Sequence, residues 1–215
     1  MQATRIIAIR HGETAWNVAT RIQGKLDIGL NDHGHWQAQR VSQALALAGE
    51  PIHAIYASDL IRAWDTARAI SEATGSPLQP HIGLRERGFG VFEGKTFNEI
   101  EADSPEQAQR WRQRDPLWAP DGGESLQALR ERIDHTVSEL AARHLGEQIV
   151  LVAHGGVLDA LYRAATGQEI QAPRTWDLGN TAINRLLWTP DGLTLVGWSD
   201  TRHLDDHATL DETST

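Results

Sequence analysis

Cysteine is missing altogether from the 215 residues. Its absence excludes disulfides, thiolate metal sites and a cysteine nucleophile. No apolar run is long enough to cross a bilayer or act as a secretory signal, the one after Met1 included, so the expectation is a soluble, cytoplasmic protein with no membrane role. Positive charge is also in short supply. Lys and Arg number 20 against 29 Asp and Glu, a net charge of −9 with histidines neutral, which argues against a nucleic-acid or anionic-membrane binder. An anionic substrate would need local arginines to overcome that field. No G-x-x-x-x-G-K-[ST] loop occurs, and GFGVFEG at 88–94 is not G-x-G-x-x-G, so neither usual nucleotide-binding signal is present. Internal repeats and low-complexity tracts are absent too.

What is present reads as one α/β domain. Three short apolar runs stand out: RIIAI (5–9), IHAIYA (52–57) and QIVLVA (148–153). Continuous rather than alternating apolarity predicts strands covered on both faces, as in a mostly parallel sheet. Helices are expected over 34–48, 59–74, 124–144 and 156–166, the third with Ile133, Val137 and Leu140 on one face. NRLLW (184–188) and LTLVGW (193–198), joined by Thr189-Pro-Asp-Gly192, predict a hairpin with a type I or II turn. The segment about 88–123 is irregular, with Pro105, Pro116 and Pro120, and reads as a lid. A domain over 1–199 and a polar, acidic tail over 200–215 complete the division.

The chemistry gathers at strand ends. IIAIRHGETAWN (6–17) carries Arg10 and His11 straight off an apolar run, and QIVLVAHGG (148–156) repeats the pattern with His154. IYASDLIRAWDTA (55–67) adds Ser58, Asp59 and Arg62. Ligands of parallel α/β sheets bind beyond the carboxyl ends of the strands, so Arg10, His11, Arg62 and His154 are expected in one crevice. Gly12 and Gly155 would let backbone N–H groups come close to a ligand. Two guanidiniums and two imidazoles suit a phosphate dianion. Without a thiol, histidine is the obvious nucleophile. Glu86, in LRERGFGVFEG (84–94), is the candidate proton donor and later base.

These motifs resemble the histidine phosphatases, the clan that includes cofactor-dependent phosphoglycerate mutase. RHGET at 10–14 with Asn17, then SDLIRAWDTA, LRERGFGVFEG, GGES at 122–125 and VAHGG, follow the clan's order over roughly residues 5–190. The resemblance implies a three-layer α/β/α sandwich with a small lid insertion. It makes His11 the phosphorylated residue, with Arg10, Arg62 and His154 on the phosphoryl oxygens and Glu86 as acid and base. Asn17, Gln23, Gly24 and Gly155 would line the substrate site. No metal and no cofactor are implied, save 2,3-bisphosphoglycerate if the chain is a mutase. The partner would be a small phosphorylated metabolite, and a homodimer is left open.

Plainer readings exist for each part. A lone His at a strand end is more often structural, Arg62 could pair with Asp59 or Asp65, and Glu86 could sit in a solvated charged turn. Trp111 and Trp118 could pack the lid or touch substrate. His33 and His35 flank a glycine turn at Gly34 and read as surface, and HLDDH (203–207) could chelate a metal by composition but, in a polar tail, reads as solvated. RWRQR (110–114) could grip a substrate carboxylate or form one exposed helix face. A phosphomonoester hydrolase is the favoured function, a phosphoglycerate mutase the alternative. A non-catalytic binding module is the third reading, disfavoured because none of the five key positions is lost. Mutases of the clan carry a longer insertion between the acid and the second histidine than this chain does.

Overall fold

The computed structural model describes residues 2–205. A six-stranded sheet runs in the order β3-β2-β4-β1-β5-β6. Its strands are β1 (Thr4–Arg10), β2 (Ala54–Ala57), β3 (Leu78–Pro80), β4 (Gln148–Ala153), β5 (Ile183–Thr189) and β6 (Gly192–Asp200). The β3, β2, β4 and β1 neighbours pair parallel, and β5 pairs antiparallel with both β1 and β6.

The apolar runs are continuous because both sheet faces are covered. Ile6 and Ala8 join one buried cluster with Ile149, Leu151, Ile133 and Leu158. Ile7 and Ile9 join another with Val150, Val152, Val41 and Ile70. Alternate residues of one strand thus enter opposite cores, as the period of two in a pleated strand requires. Helices α6 (Leu126–Ala142) and α7 (Gly155–Thr166) cover the first face, α2 (Asp32–Ala48) and α3 (Ile61–Thr74) the second. This is the three-layer arrangement expected.

The hairpin connection is settled by backbone angles. Thr189 pairs with Gly192 across Pro190 and Asp191, neither of which has positive φ. A type II turn needs φ > 0 at its third residue, so type I is the form that fits.

The segment 88–123 is not irregular. It holds α4 (Phe97–Asp103), begun by a reciprocal Thr96/Glu99 capping box, and α5 (Pro105–Arg112), with proline at its start. Both are about two turns long, too short for a 3.6-residue period to show in the sequence. Phe92, Ile100 and Ala108 form its own small core, with Phe89, Phe97, Trp111 and Trp118 packed against it. Trp111 stacks on Phe89 with ring centroids 5.2 Å apart. The one-turn helix α1 (Ala15–Val18) and the edge strand β3 had no clear sequence signal.

At the far end, Asp200 closes β6 and residues Arg202–Leu204 make a 3-10 turn. Arg40 of α2 holds that turn by donating to the carbonyls of His203 (2.7 Å) and Asp205 (3.1 Å). Residues 200–205 therefore lie against the domain. The remainder of the expected acidic tail, 206–215, lies outside the described residues. His33 and His35 are exposed as read, but Gly34 lies inside α2 rather than in a turn.

Candidate active site

Sheet register brings the two histidines together. Arg10 pairs with Ala153 across β1 and β4, and the His11 N–H donates to the Ala153 carbonyl at 3.0 Å. His154 follows directly. The imidazole centroids lie 5.2 Å apart with 57° between planes. His11, 2% exposed, approaches the Gly12 carbonyl with Nδ1 at 2.7 Å. A carbonyl can only accept, so Nδ1 carries the proton and Nε2 is left with a lone pair.

The loop after β1 is fixed on several sides. Gly12 N–H donates to Thr66 Oγ1 (3.0 Å), Glu13 N–H to Gln37 Oε1 (2.8 Å), and Asn180 Nδ2 to the His11 carbonyl (2.7 Å). A Cβ on Gly12 would lie 3.0 Å from the Gly34 carbonyl carbon, so this close crossing of loop and helix needs glycine. Burial pushes the His11 pKa well below its ordinary value, and Arg10 and Arg62 push the same way. His154 is driven well below too, first by burial and then by His11 and the arginines. Both rings are therefore neutral around pH 7, the state a nitrogen nucleophile needs.

The arginines are held by backbone carbonyls. Arg62, 1% exposed, donates to Gly24 and Leu26, both at 2.8 Å. Asp27 of the same loop accepts from Ile61 N at the start of α3 (2.7 Å). Gly24 has φ +52°, and a Cβ there would strike the Glu93 carboxylate. That carboxylate accepts from Lys25 N and Phe89 N, both at 3.0 Å. Arg10 donates to the Leu178 carbonyl at 2.6 Å. Burial lowers the pKa of both guanidiniums, against the opposing charge of Glu86. The plainer reading of Arg62, pairing with Asp59 or Asp65, does not hold: Asp59 is bound by Arg85 at 2.5 Å and Asp65 by Arg68 at 3.0 Å.

Among the described residues, buried polar atoms without a partner include Arg10 Nε, Arg62 Nε and His154 Nδ1. Buried donors are almost always satisfied. That three of the exceptions belong to the three residues expected around phosphate is the main electrostatic feature of the site. His154 Nε2 lies 2.8 Å from Ser58 Oγ. With the hydroxyl donating to Nε2, Nδ1 carries a proton directed elsewhere.

Glu86 is not in a solvated turn. Its carboxylate accepts from Gly156 N (3.1 Å to each oxygen) and from Arg87 N (2.8 Å), which places it over the start of α7. A Cβ on Gly155 would meet Arg10 and Glu86 only at ordinary contact distance, whereas one on Gly156 would strike Glu86 Oε1, so the bare backbone is needed at Gly156. Gln23, Gly24 and Asn17 line a cleft of about 160 Å³ together with His11, Arg62 and Glu86. Asn17 Oδ1 accepts from Thr14 N at 3.0 Å, leaving its NH2 for the cleft. His154 lies directly against His11, and Gly155 lines a neighbouring cleft that shares Arg10 with the first.

That neighbouring cleft, about 380 Å³, shares Arg10 and Phe89 with the first and adds Arg87, Arg114, Arg174 and Asp159. Of these four, the sequence pointed only to Arg114, as the last residue of RWRQR; Arg87, Arg174 and Asp159 carried no signal as site residues. RWRQR is split three ways. Arg110 pairs with Asp115 and Arg112 with Glu101 on the surface. Arg114, at φ +51°, turns inward to Asp159 (3.0 Å) and the Ile170 carbonyl (2.8 Å). Trp111 both packs the small core of segment 88–123 and lines this cleft, so its two readings are compatible. Among the described residues no three His, Asp or Glu side chains come together as a metal-binding group.

Residues 6–201 match the profile of the histidine phosphatase superfamily (branch 1). The chain is 37% identical to phosphoglycerate mutase-like protein 4 of Arabidopsis thaliana, over 94% of this chain and 87% of that protein. It is 35% identical to the metal-independent phosphoserine phosphatase of the same plant, over 94% and 84%. A solved mycobacterial glucosyl-3-phosphoglycerate phosphatase complexed with VO3 superposes with a TM-score of 0.80 at 34% identity, covering 92% of this chain and 99% of that one.

Proposed function

The chain belongs to branch 1 of the histidine phosphatase superfamily, and on that premise we propose that it hydrolyses phosphomonoesters, without metal, through a phosphohistidine on His11. The observation that carries this reading is the set of partnerless buried nitrogens, Arg10 Nε, Arg62 Nε and His154 Nδ1, around an imidazole whose Nε2 is free. Nε2 attacks phosphorus, forming N–P as the ester P–O bond breaks, and the departing alkoxide takes the proton of Glu86. The Glu86 carboxylate then takes a proton from water, whose oxygen displaces the imidazole and releases phosphate. Charge developing on the transferred group is met by the fixed guanidiniums and by His154.

The organic half of the substrate belongs in the second cleft. Arg87, Arg114 and Arg174 outnumber Asp159 there, and Asp159 already accepts from both Arg114 and Arg163. The surplus suits a leaving group that carries a carboxylate, in keeping with relatives named for phosphoserine and glucosyl-3-phosphoglycerate. The same surplus is what favours the mutase as second reading, since phosphoglycerate carries that group too. We place the enzyme in the cytoplasm, acting on small metabolites. No described helix is long and apolar enough to cross a membrane, and the net charge of −9 repels nucleic acid.

One assay separates the readings. The protein is incubated in excess EDTA with p-nitrophenyl phosphate and, separately, with 3-phosphoglycerate plus 2,3-bisphosphoglycerate. Phosphate release that survives chelation and is lost in His11→Ala is expected. Isomerisation with little release would favour the mutase, and a requirement for added metal would overturn the scheme.

A further inference from the structure

We propose that Arg132 and Glu124 are positioning residues that hold the carboxylate of Glu86 where it meets the leaving-group oxygen, an inference that rests on the acid–base assignment above. Glu86 lies on a segment without helix or strand of its own. Its place depends on what grips the residues on either side of it.

Arg132, in the second turn of α6, grips the upstream side. Its Nη1 donates to the carbonyls of Gly83 (2.7 Å) and Arg85 (3.0 Å). The other edge of the guanidinium donates Nε to Glu124 Oε1 and Nη2 to Oε2, each at 2.8 Å. This is the two-bond fork that only arginine makes with a carboxylate. Glu124 grips the downstream side. Its N–H donates to the Gly88 carbonyl (2.8 Å), its carbonyl accepts from Arg87 Nε (2.7 Å), and Gly88 N approaches its Oε2 at 3.4 Å. One ion pair therefore touches residues 83, 85, 87 and 88 and leaves out residue 86. Among the described residues the Glu86 carboxylate forms no side-chain ion pair and is bonded only to the N–H groups of Arg87 and Gly156, although the charges of Arg10 and Arg62 are near enough to feel it.

The pair is sheltered, with side chains 24% and 15% exposed, so its geometry is not that of a loose surface contact. Burial raises the Glu124 pKa, but the bonds and charge of Arg132 more than offset it and the net shift is downward. Glu124 is thus held as the carboxylate that the fork needs. A proton donor must sit within hydrogen-bond reach of the oxygen it serves, and about 1 Å of misplacement costs on the order of 100-fold. Neither Arg132 nor Glu124 lines the His11 cleft. The charge of Arg132 also helps keep the His154 imidazole neutral, an effect that falls on the phosphoryl group of any substrate alike. The action that distinguishes leaving groups is therefore the one through Glu86.

The test uses kcat/KM, which reports steps up to transfer onto His11, for two probes. p-Nitrophenyl phosphate has a leaving group that needs little protonation; glycerol 2-phosphate has an alkoxide that needs much. Arg132→Met is expected to lower kcat/KM for glycerol 2-phosphate by about 10- to 100-fold and for p-nitrophenyl phosphate by less than about threefold. Arg132→Lys, which keeps the charge and loses the fork, should fall between. On a Glu86→Gln background Arg132→Met should add no further selective loss. Equal loss on both probes, or a full extra factor on that background, would show a merely structural residue and overturn the proposal. If Arg132→Met does not fold, Glu124→Gln keeps the backbone bonds and removes the ionic fork, and the same pattern is required of it. Glu86→Gln alone separates the two failures. If it spares glycerol 2-phosphate, the acid assignment falls and the clamp with it; if it acts selectively while both clamp variants do not, the clamp alone falls.

Discussion

The two clefts that meet at Arg10 are built from the same residue type on opposite principles. In the His11 cleft, Arg62 is fixed by two backbone carbonyls and buried to 1% exposure, and its Nε and that of Arg10 have no partner among the described residues. In the second cleft Arg114 is matched by Asp159, Arg87 by the Glu124 carbonyl, and Arg174 is exposed with no hydrogen bond or ion pair among the described residues. The first is a rigid mould for a group of one shape and charge, the phosphoryl. On the reading proposed above, the second receives the part that differs between substrates, and Arg174 is its adjustable member, since Arg87 and Arg114 are themselves held by carbonyls. Rigid polar preorganisation accelerates a reaction, whereas adaptable contacts change what is bound.

That contrast predicts a graded set of losses. His11→Asn should remove turnover of every phosphomonoester by about 10⁴-fold or more, because no other group in the cleft can take its place as nucleophile. Quenched-flow trapping of an acid-labile phosphoenzyme should succeed in the parent protein and fail in the variant. Labelling that persists would move the nucleophile elsewhere. Arg62→Lys comes next. Lysine cannot reach both loop carbonyls and still offer a donor to phosphate, so kcat/KM should fall about 10²- to 10³-fold. The fall should be the same for aryl and alkyl esters, since the phosphoryl group is common to both. A substrate-dependent loss would place Arg62 in the adjustable half.

The rigid half also carries a pH signature. His11 and His154 are held neutral, their pKa values pushed down by burial. Below the ordinary value of 6.5 the unfolded chain binds protons that the native state refuses. Stability from these groups is therefore complete above that pH and lost as pH falls toward the native values, with a slope approaching about 2.7 kcal/mol per pH unit for two protons. Urea midpoints at pH 7.0 and 5.5 measure it. The His11→Gln/His154→Gln double variant should lack most of the slope, and equal slopes in the two proteins would mean the rings are protonated in the fold.

The rigid half was also the legible half, for physical reasons. QIVLVA is β4 to the residue because a strand buried on both faces admits little else. Its parallel neighbour β1 then fixes where His11 and His154 must meet. Thr66 and Asn180, which hold the His11 loop, gave no signal, because a hydroxyl or amide acquires a role only from what the fold brings beside it. β3 is three residues long, mostly exposed and ends in Pro80, and it forms only because Ile55 and Ala57 of β2 offer an edge. The arginines of the second cleft were the least readable. Arg110, Arg112 and Arg114 are alike in sequence, and a helix end at Arg112 followed by one left-handed residue sends the third inward.

Arg174 gives the smallest effect and the sharpest division between the halves. It lines the second cleft, has no fixed partner, and is near enough to lower the pKa of Arg10 and Arg114. Removing it therefore relieves repulsion among the remaining arginines while taking away one contact to the leaving group. For a substrate with a carboxylate, such as 3-phosphoglycerate or O-phosphoserine, Arg174→Ala should raise KM by about tenfold, the value of one exposed charge-assisted contact, with little change in kcat. For p-nitrophenyl phosphate, which has no second anionic group, KM should stay the same or fall slightly. The comparison of the two substrates on one variant cancels any general effect on folding. If KM rises equally for both, Arg174 acts on the phosphoryl group through Arg10, and the boundary between mould and adjustable surface lies on the wrong side of it.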